Sequence, residues 1–501
     1  MARAVRPLLR RPPSIASFRS DNPAVVVGTA SGERIDDRAL AVECVAVGLG
    51  MAVAGGAFAP PAAAVFAGVA IALLIVGLVL LPTARLLVRS RLSYAVLAFA
   101  AWWTASGLAH HDGMVAMRLA AGMVGSVAAY VVVGALTTRG RELVAAGFLG
   151  GAAILAGTGL IDVSVAMAAG RGPFDSWLLT DERSVRLAGP LHYPEAFALW
   201  LSFSFLAGAL VRTRRVQPLV SLSQVVVGCG ILASESRGAL VAFAAALIVA
   251  GRRLSRATRN AVVALAVCAP LVLAAQRLAG ATAVLYPLSL AAAVLTVLLI
   301  GRGLLVRGRL DQRPANRWRD RVMAAVLRLR WLIGGVWLVT TCGLLVTQRR
   351  WVDGLDPSWW QRLRVAKAAI HLISGHVWSG LGPDPVFRAP TATGVPGWAY
   401  FTHNEFLEIA LSLGIPGLVA VVALAAWVAW RLRPHRIGLA VLAAVVVAGL
   451  FDFGWHFPVL GWVAASVAAC EVGQRRLRRQ PFGVWCARNC RRVVKSCTLA
   501  G

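Results

Sequence analysis

Apolar residues along this chain do not alternate with polar ones and seldom leave a polar helical face. They come in uncharged runs of roughly 16–22 residues, such as 62–82 and 281–301, the length that crosses a hydrocarbon core as a helix. A soluble protein of 501 residues would show amphipathic periods instead. Between pairs of runs sit arginine clusters: Arg85, Arg89 and Arg91; Arg139 and Arg141; Arg212, Arg214 and Arg215; Arg252 to Arg259; Arg302 to Arg330; Arg431 to Arg436. This alternation predicts about fourteen spans with both termini cytoplasmic. The fold class that follows is all-α: a polytopic transmembrane helical bundle with one large outer-face loop containing short helices.

The boundaries then fall as a basic cytoplasmic arm over 1–38, spans with short loops over 39–346, a large extracytoplasmic loop over 347–403, C-terminal spans over 404–473 and a basic cytoplasmic tail over 474–501. The arm lacks the short apolar core of a signal peptide, so the first span reads as an uncleaved anchor. The chain is expected in the cell (inner, cytoplasmic) membrane. Loops facing outward are short and carry most of the acidic loop residues, including Asp162, Asp175, Asp181, Glu182, Asp353, Asp356 and Asp384.

Composition sharpens this picture in two ways. The apolar share is 58%, above the roughly 45–50% of soluble domains. The net charge of +29 would suggest nucleic acid, but the arginines lie in short clusters rather than on a continuous basic surface, so no nucleic-acid partner is expected. The basic arm and tail suit an anionic inner leaflet. Of the eight cysteines, Cys44, Cys229, Cys268, Cys342 and Cys470 lie in or beside apolar runs and behave as small hydrophobes; Cys486, Cys490 and Cys497 sit in the tail without a zinc pattern.

The segment from Thr347 to Phe401 is the long outer loop, with Trp351, Trp359, Trp360, Trp378 and Trp398 as aromatic anchors. Residues 362–373 read as an amphipathic helix with Leu363, Ala366, Ala369, Ile370 and Ile373 on one stripe. Thr402-His403-Asn404-Glu405 has the form of a capping box, with Thr402 as the cap, Glu405 reaching back and His403 and Asn404 on the first turn. Gly414-Ile415-Pro416-Gly417 then interrupts the helix before the next span.

These residues resemble the O-antigen ligase and polymerase family of polytopic glycan transferases. His403-Asn404, nine residues, Gly414, two residues and Gly417 match its loop motif. Arg362, with Gly380 and Gly382 eighteen and twenty residues on, matches a second stretch, and Ser236-Arg237-Gly238-Ala239 a third. Gly189-Pro190-Leu191-His192-Tyr193-Pro194-Glu195 is a looser match. The likeness covers roughly 186–453, with Ala366 standing where the family usually has Trp, Val377 where it has Pro and Glu195 where it has Asn. The resemblance implies transfer of a glycan from a polyprenyl diphosphate carrier to a sugar hydroxyl on a glycan or glycolipid acceptor at the outer face, by an enzyme of ligase or polymerase type. It implies no cofactor.

That chemistry needs a base for a hydroxyl and positive charge for a leaving diphosphate. Arg237 and Arg362 are candidate diphosphate partners, because guanidinium meets phosphate bidentately and stays charged. Alternatively, Arg237 snorkels to the interface and Arg362 lies on a solvated helix face. His403 is the candidate base, favoured in its neutral form by a helix start, with a plain capping residue as the bland alternative. Asn404 orients it or binds sugar; Gly380 and Gly382 are further substrate contacts, Arg349 and Arg350 guide the diphosphate or equally meet lipid headgroups, and His192 and Tyr193 face outward as acceptor contacts. The tryptophans could stack on sugars, but suit a membrane interface at least as well. Asp452 and His456 are expected to pair at the last outer turn. Metal ligands are not expected, since no Asp-x-Asp-type cluster falls in an outer segment. A transporter or flippase of the same fold is the competing reading. It predicts ionisable residues buried in mid-span and Gly/Pro-broken helices; Arg118 is the main candidate for the first.

Overall fold

The computed structural model describes residues 32–110, 113–169, 173–181, 184–277, 357–383, 385–390, 396–452 and 454–479. The apolar runs within them are helices. In chain order these are α1 (Gly32–Val53), α2 (Pro60–Leu80), α3 (Pro82–Val88), α4 (Arg91–Ala109), α5 (Gly113–Ala135), α6 (Thr138–Ala169), α7 (Pro194–Ala207), α8 (Gln217–Ala233), α9 (Arg237–Ala250) and α10 (Arg256–Arg277). They continue as α11 (Pro357–Gly375), α12 (Glu405–Leu432), α13 (Arg436–Gly449) and α14 (Pro458–Arg479). The run at 281–301, the arginine cluster from Arg302 to Arg330, and Arg349 and Arg350 lie outside the described residues.

Six helices among the described residues are long and apolar enough to cross a membrane: α2, α4, α5, α6, a helix around α8 and α12. Four more apolar helices are shorter, α9 and α13 having 14 residues each. At 1.5 Å per residue these reach about 21 Å, short of a hydrocarbon core of about 30 Å. Apolar length therefore marks a helix as membrane-seeking without fixing that it crosses alone.

Small residues let the helices approach closely, the usual solution where water does not drive helices together. A Cβ on Gly125 of α5 would lie 2.5 Å from the Phe66 ring of α2, and one on Gly147 of α6 would lie 2.7 Å from Val45 of α1. Trp462 of α14 packs edge-on against Phe66 and donates its indole N–H to the Cys44 carbonyl at 3.0 Å.

Two hairpins depart from the all-α expectation. β1 (Leu178–Asp181) pairs antiparallel with β2 (Ser184–Leu187), and β3 (Phe387–Pro390) with β4 (Pro396–Ala399), with Arg388 opposite Trp398. Strands of four residues are too short for period-two alternation to stand out against turn residues. Among its described residues the loop over 347–403 thus combines α11 with a hairpin.

The helix order sorts the turns into two ends. At one end Gly56 meets Leu191 and Phe457, and Gly382 meets His110. This end also carries the N-termini of α7, α9, α12 and α14. The arginine clusters of the described residues fall at the opposite end, at the turns α2–α4, α5–α6, α7–α8, α9–α10 and α12–α13. Arg118 lies in the second turn of α5, near the first end rather than in mid-span, with its guanidinium 4.5 Å from the centre of the Phe58 ring.

Candidate functional site

The C-terminal end of α13 delivers Asp452 to the arginine-poor end of the bundle. Its carboxylate is buried, and three side chains from distant elements converge on it. The Tyr193 hydroxyl, at the start of α7, donates to Oδ1 at 2.6 Å and reaches Oδ2 at 2.7 Å. His403 Nδ1 lies 3.3 Å from Oδ1, and Arg362 Nη2 of α11 lies 3.9 Å from Oδ2. Arg362 also donates through Nη1 to the Phe451 carbonyl at 2.8 Å. A carboxylate facing Nδ1 selects the tautomer with hydrogen on that atom, which makes Nε2 the proton-accepting nitrogen.

The backbone around His403 differs from the capping-box expectation. The cap is Asn404, whose Oδ1 accepts from the Leu407 amide at 3.0 Å. Thr402 instead donates its hydroxyl to the Asn404 carbonyl at 2.8 Å. His403 precedes the helix with φ 54°, a left-handed conformation uncommon outside glycine. Glu405 does not reach back. Its carboxylate accepts from the Trp455 amide at 2.5 Å and lies 3.4 Å from His456 Nε2. His456 therefore pairs with Glu405, and Asp452 is left to the Tyr193, Arg362 and His403 side chains. Glu408 accepts from the Thr402 amide at 2.9 Å, and Asn404 Nδ2 donates to the Leu450 carbonyl at 3.0 Å. Together these bonds staple the 402–405 turn to the 450–456 turn, and with it His403 to Asp452.

α11 buries a face rotated from the expected stripe. Val365 and Ala369, flanked by Ala368 and Leu372, pack with Phe387, Ala389, Ala399 and Leu411, while Leu363 and Ile370 stay exposed. The hairpin and α12 select the buried face, and hydropathy within α11 could not tell which side they would occupy.

Gly380 and Gly382 hold the loop to the break in α12. The Leu381 amide donates to the Leu411 carbonyl at 2.8 Å, the Gly382 amide to Ser412 at 3.1 Å and the Ile415 amide to Val377 at 2.8 Å. A Cβ on Gly380 would sit 2.3 Å from the Ser412 carbonyl oxygen, and φ 66° also favours glycine there. Gly414 has φ 70° and ψ −173°, so the expected interruption is present, and its exposed amides and carbonyls are taken up by the docked loop.

Arg237 opens α9 behind a Ser236 cap that accepts from the Ala239 amide at 3.2 Å. Its side chain is exposed, and its neighbour Gly238 packs on Phe451, where a Cβ would meet the ring-bearing carbon at 2.8 Å. The N-terminus of α9 thus borders the same corner. Arg186 of β2 ties that corner to α7, donating to Glu195 at 2.8 Å and to the Ser234 carbonyl at 3.1 Å. Burial is the largest influence on the Arg186 pKa and acts to lower it, but the charge and hydrogen bond of Glu195, together with Glu235 and Tyr193, make the net shift upward. Burial, then the Asp452 and Glu195 carboxylates, hold the Tyr193 phenol well above its ordinary value. His192 is exposed, at φ 54°, with Nδ1 2.6 Å from the Ser176 carbonyl in the turn that precedes β1.

A cavity of about 200 Å³ opens beside His403, lined by Gln361, Val365, Trp398, Tyr400 and Phe401 among others. Among the described residues no group of three or more His, Cys, Asp or Glu side chains is arranged as a metal site. Asp452, which the sequence placed only in a local pair with His456, is the functional candidate it did not single out; Tyr193, read there beside His192 as an acceptor contact, is hydrogen-bonded to Asp452. The one signal pointing at Asp452 was its place in a short outer turn after an apolar run.

Residues 222–422 match the family model described as O-antigen ligase. That range contains Arg237, Arg362, Gly380, Gly382, His403, Asn404, Gly414 and Gly417, and stops short of Asp452. No curated protein matches the chain. The chain thus has apolar helices long enough to cross a membrane, and the segment similar to the O-antigen ligase family supplies His403 and Arg362 to one buried carboxylate.

Proposed function

We propose that the Asp452 end of the bundle faces outward and transfers a glycan from a polyprenyl diphosphate carrier to a sugar hydroxyl. The observation that carries this reading is the approach of His403 Nδ1 to Asp452, 3.3 Å away. Asp452 orients the imidazole, Nε2 takes the proton from the acceptor hydroxyl, and the oxygen attacks the anomeric carbon as its bond to the diphosphate breaks. Arg362 and Arg237 meet the charge that develops on the departing diphosphate. The reaction needs no nucleotide, because the carrier bond supplies the driving force, and no metal, because the guanidinium groups supply the positive charge. Arg349 and Arg350 would guide the diphosphate from the membrane surface, Asn404 holds the turn that presents His403, and His192 would contact the acceptor from the rim. The sidedness rests on the arginine clusters gathering at the far end of the bundle, with the inner face of the cell membrane as their partner.

Transport is the second reading, and the break in α12 is the kind of feature it predicts. Backbone groups of the docked outer loop fill that break, which favours a fixed scaffold for the loop.

The test is to delete the gene and profile polyprenyl-linked glycans by mass spectrometry. Wild type and His403→Ala are then supplied at matched membrane levels. Single repeat units that accumulate and are cured by wild type alone identify a polymerase; long lipid-linked chains cured in the same way identify a ligase. An equal cure by His403→Ala removes His403 as the base. An unchanged glycan profile on deletion removes the transferase reading.

A further inference from the structure

The hairpin of the outer loop has two faces of different character. Phe387, Ala389 and Ala399 turn inward onto α11 and are buried, while Arg388, Trp398 and Tyr400 turn outward. Trp398 is 61% exposed and Tyr400 60%. The Arg388 guanidinium lies 5.0 Å from the centre of the Trp398 ring, which braces that ring across the strand pair. Large aromatic side chains left open in this way lie next to a cavity instead of being scattered, and the cavity is lined by both of them. Its lining residues also include Gln361 and His403.

We propose that this cavity is the acceptor subsite, taking a single sugar ring of the acceptor glycan against Trp398 and Tyr400. The assignment rests on the transferase reading above for its word acceptor, but the sugar-binding chemistry stands on the cavity itself. At about 200 Å³ the space is below the usual range for drug-sized ligands, so it suits one ring and not a polyprenyl chain or a whole repeat unit. A pyranose has an apolar face of C–H groups and a rim of hydroxyls. Trp and Tyr offer rigid apolar surface with a polar tip, and Gln361 offers both a donor and an acceptor for the rim. His403 belongs to both sides of the arrangement, since it lines the cavity and meets Asp452 through Nδ1. A sugar in the cavity therefore brings a hydroxyl to the imidazole, while Arg362, beyond Asp452, is left for the diphosphate of the donor.

The experiment uses the full chain purified into lipid nanodiscs and a set of methyl pyranosides of gluco, galacto, manno and N-acetylglucosamine configuration. Saturation transfer from protein to sugar protons is read by ligand-detected NMR. At least one pyranoside should receive saturation on its ring C–H protons from wild type. Trp398→Phe should retain the transfer and Trp398→Ala reduce it at least fivefold, with Gln361→Ala also weakening it and size-exclusion profiles unchanged. Equal transfer to wild type and Trp398→Ala would assign Trp398 to the membrane interface and overturn the proposal, as would the absence of transfer from wild type with every pyranoside. His403→Ala separates the two readings. If Trp398→Ala abolishes transfer to the sugar while His403→Ala still cures the glycan profile of the deletion, the cavity binds sugar and the catalytic assignment falls. If no pyranoside binds while His403→Ala fails to cure, the catalytic assignment stands and the subsite falls.

Discussion

Buried carboxylates hold backbone amides at both ends of this bundle, Glu405 and Glu408 doing so beside the candidate site, and Asp452 stands apart from them. At the arginine-rich end they hold backbone. Glu471 of α14 accepts the Ile437 and Gly438 amides at 2.8 and 3.0 Å, sealing the start of α13. Glu142, only half-buried, takes the Arg212 and Thr213 amides and the Thr213 hydroxyl, and buried Asp37 takes the amide and hydroxyl of Thr137. Each carboxylate there satisfies donors that a helix start or turn would otherwise leave open. At the other end Asp452 gathers a phenol, an imidazole and a guanidinium, each from a different element. Carboxylates bonded to amides stabilise the fold; a carboxylate surrounded by ionisable side chains controls protons and charge. The contrast sets Asp452 apart without reference to any motif and supports the site proposed there.

Four substitutions and one titration can break that contrast. The largest effect should come from His403→Ala, which is expected to lower glycan transfer by roughly a hundred- to ten-thousand-fold with the folded yield unchanged. Quantitative profiling of lipid-linked glycan in complemented cells reads it. Asp452→Asn should come next, with a loss approaching that of His403→Ala, because an amide can hold the imidazole in the wrong tautomer. Its rate-against-pH profile should change shape, whereas a role confined to folding would scale the profile uniformly.

Gly380→Ala should act through the fold. A Cβ there meets the Ser412 carbonyl, and the conformation itself is costly, so undocking of the loop and a stability loss above about 1 kcal/mol are expected. Thermal unfolding in nanodiscs and protease sensitivity of the outer loop measure it. Glu471→Gln at the opposite end should cost about 1–3 kcal/mol of stability and leave transfer per folded molecule unchanged. A Glu471→Gln enzyme that stays fully stable but loses transfer would dissolve the distinction between the two ends.

The smallest effect concerns pH. The Tyr193 phenol is held above its ordinary value first by burial and then by Asp452 and Glu195. A raised phenol favours the folded state in its protonated form. That stabilisation is fully present below the ordinary tyrosine value of about 10 and is lost as pH rises through the folded value. With five tyrosines in the chain, the difference between ultraviolet titrations of wild type and Tyr193→Phe isolates this one, which should ionise after the ordinary tyrosine range has passed. Ionisation of Tyr193 within that range would mean that the Asp452 cluster is open to water.

The sequence alone determined the helical, membrane-seeking character, the alternation of arginine clusters, the interruption at Gly414 and the motifs that hold Arg237, Arg362 and His403. All of these are local, because hydropathy, charge and loop chemistry are written within a few turns of chain. Tertiary structure decided what those motifs close upon. Tyr193 reaches Asp452 across 259 residues, Arg362 reaches Phe451 across 89 and His403 reaches Asp452 across 49. It also moved the helix cap from Thr402 to Asn404, turned α11 to bury Val365 and gave Glu405 to His456. In each case several local solutions satisfied the same backbone groups, and contacts with a distant element chose among them.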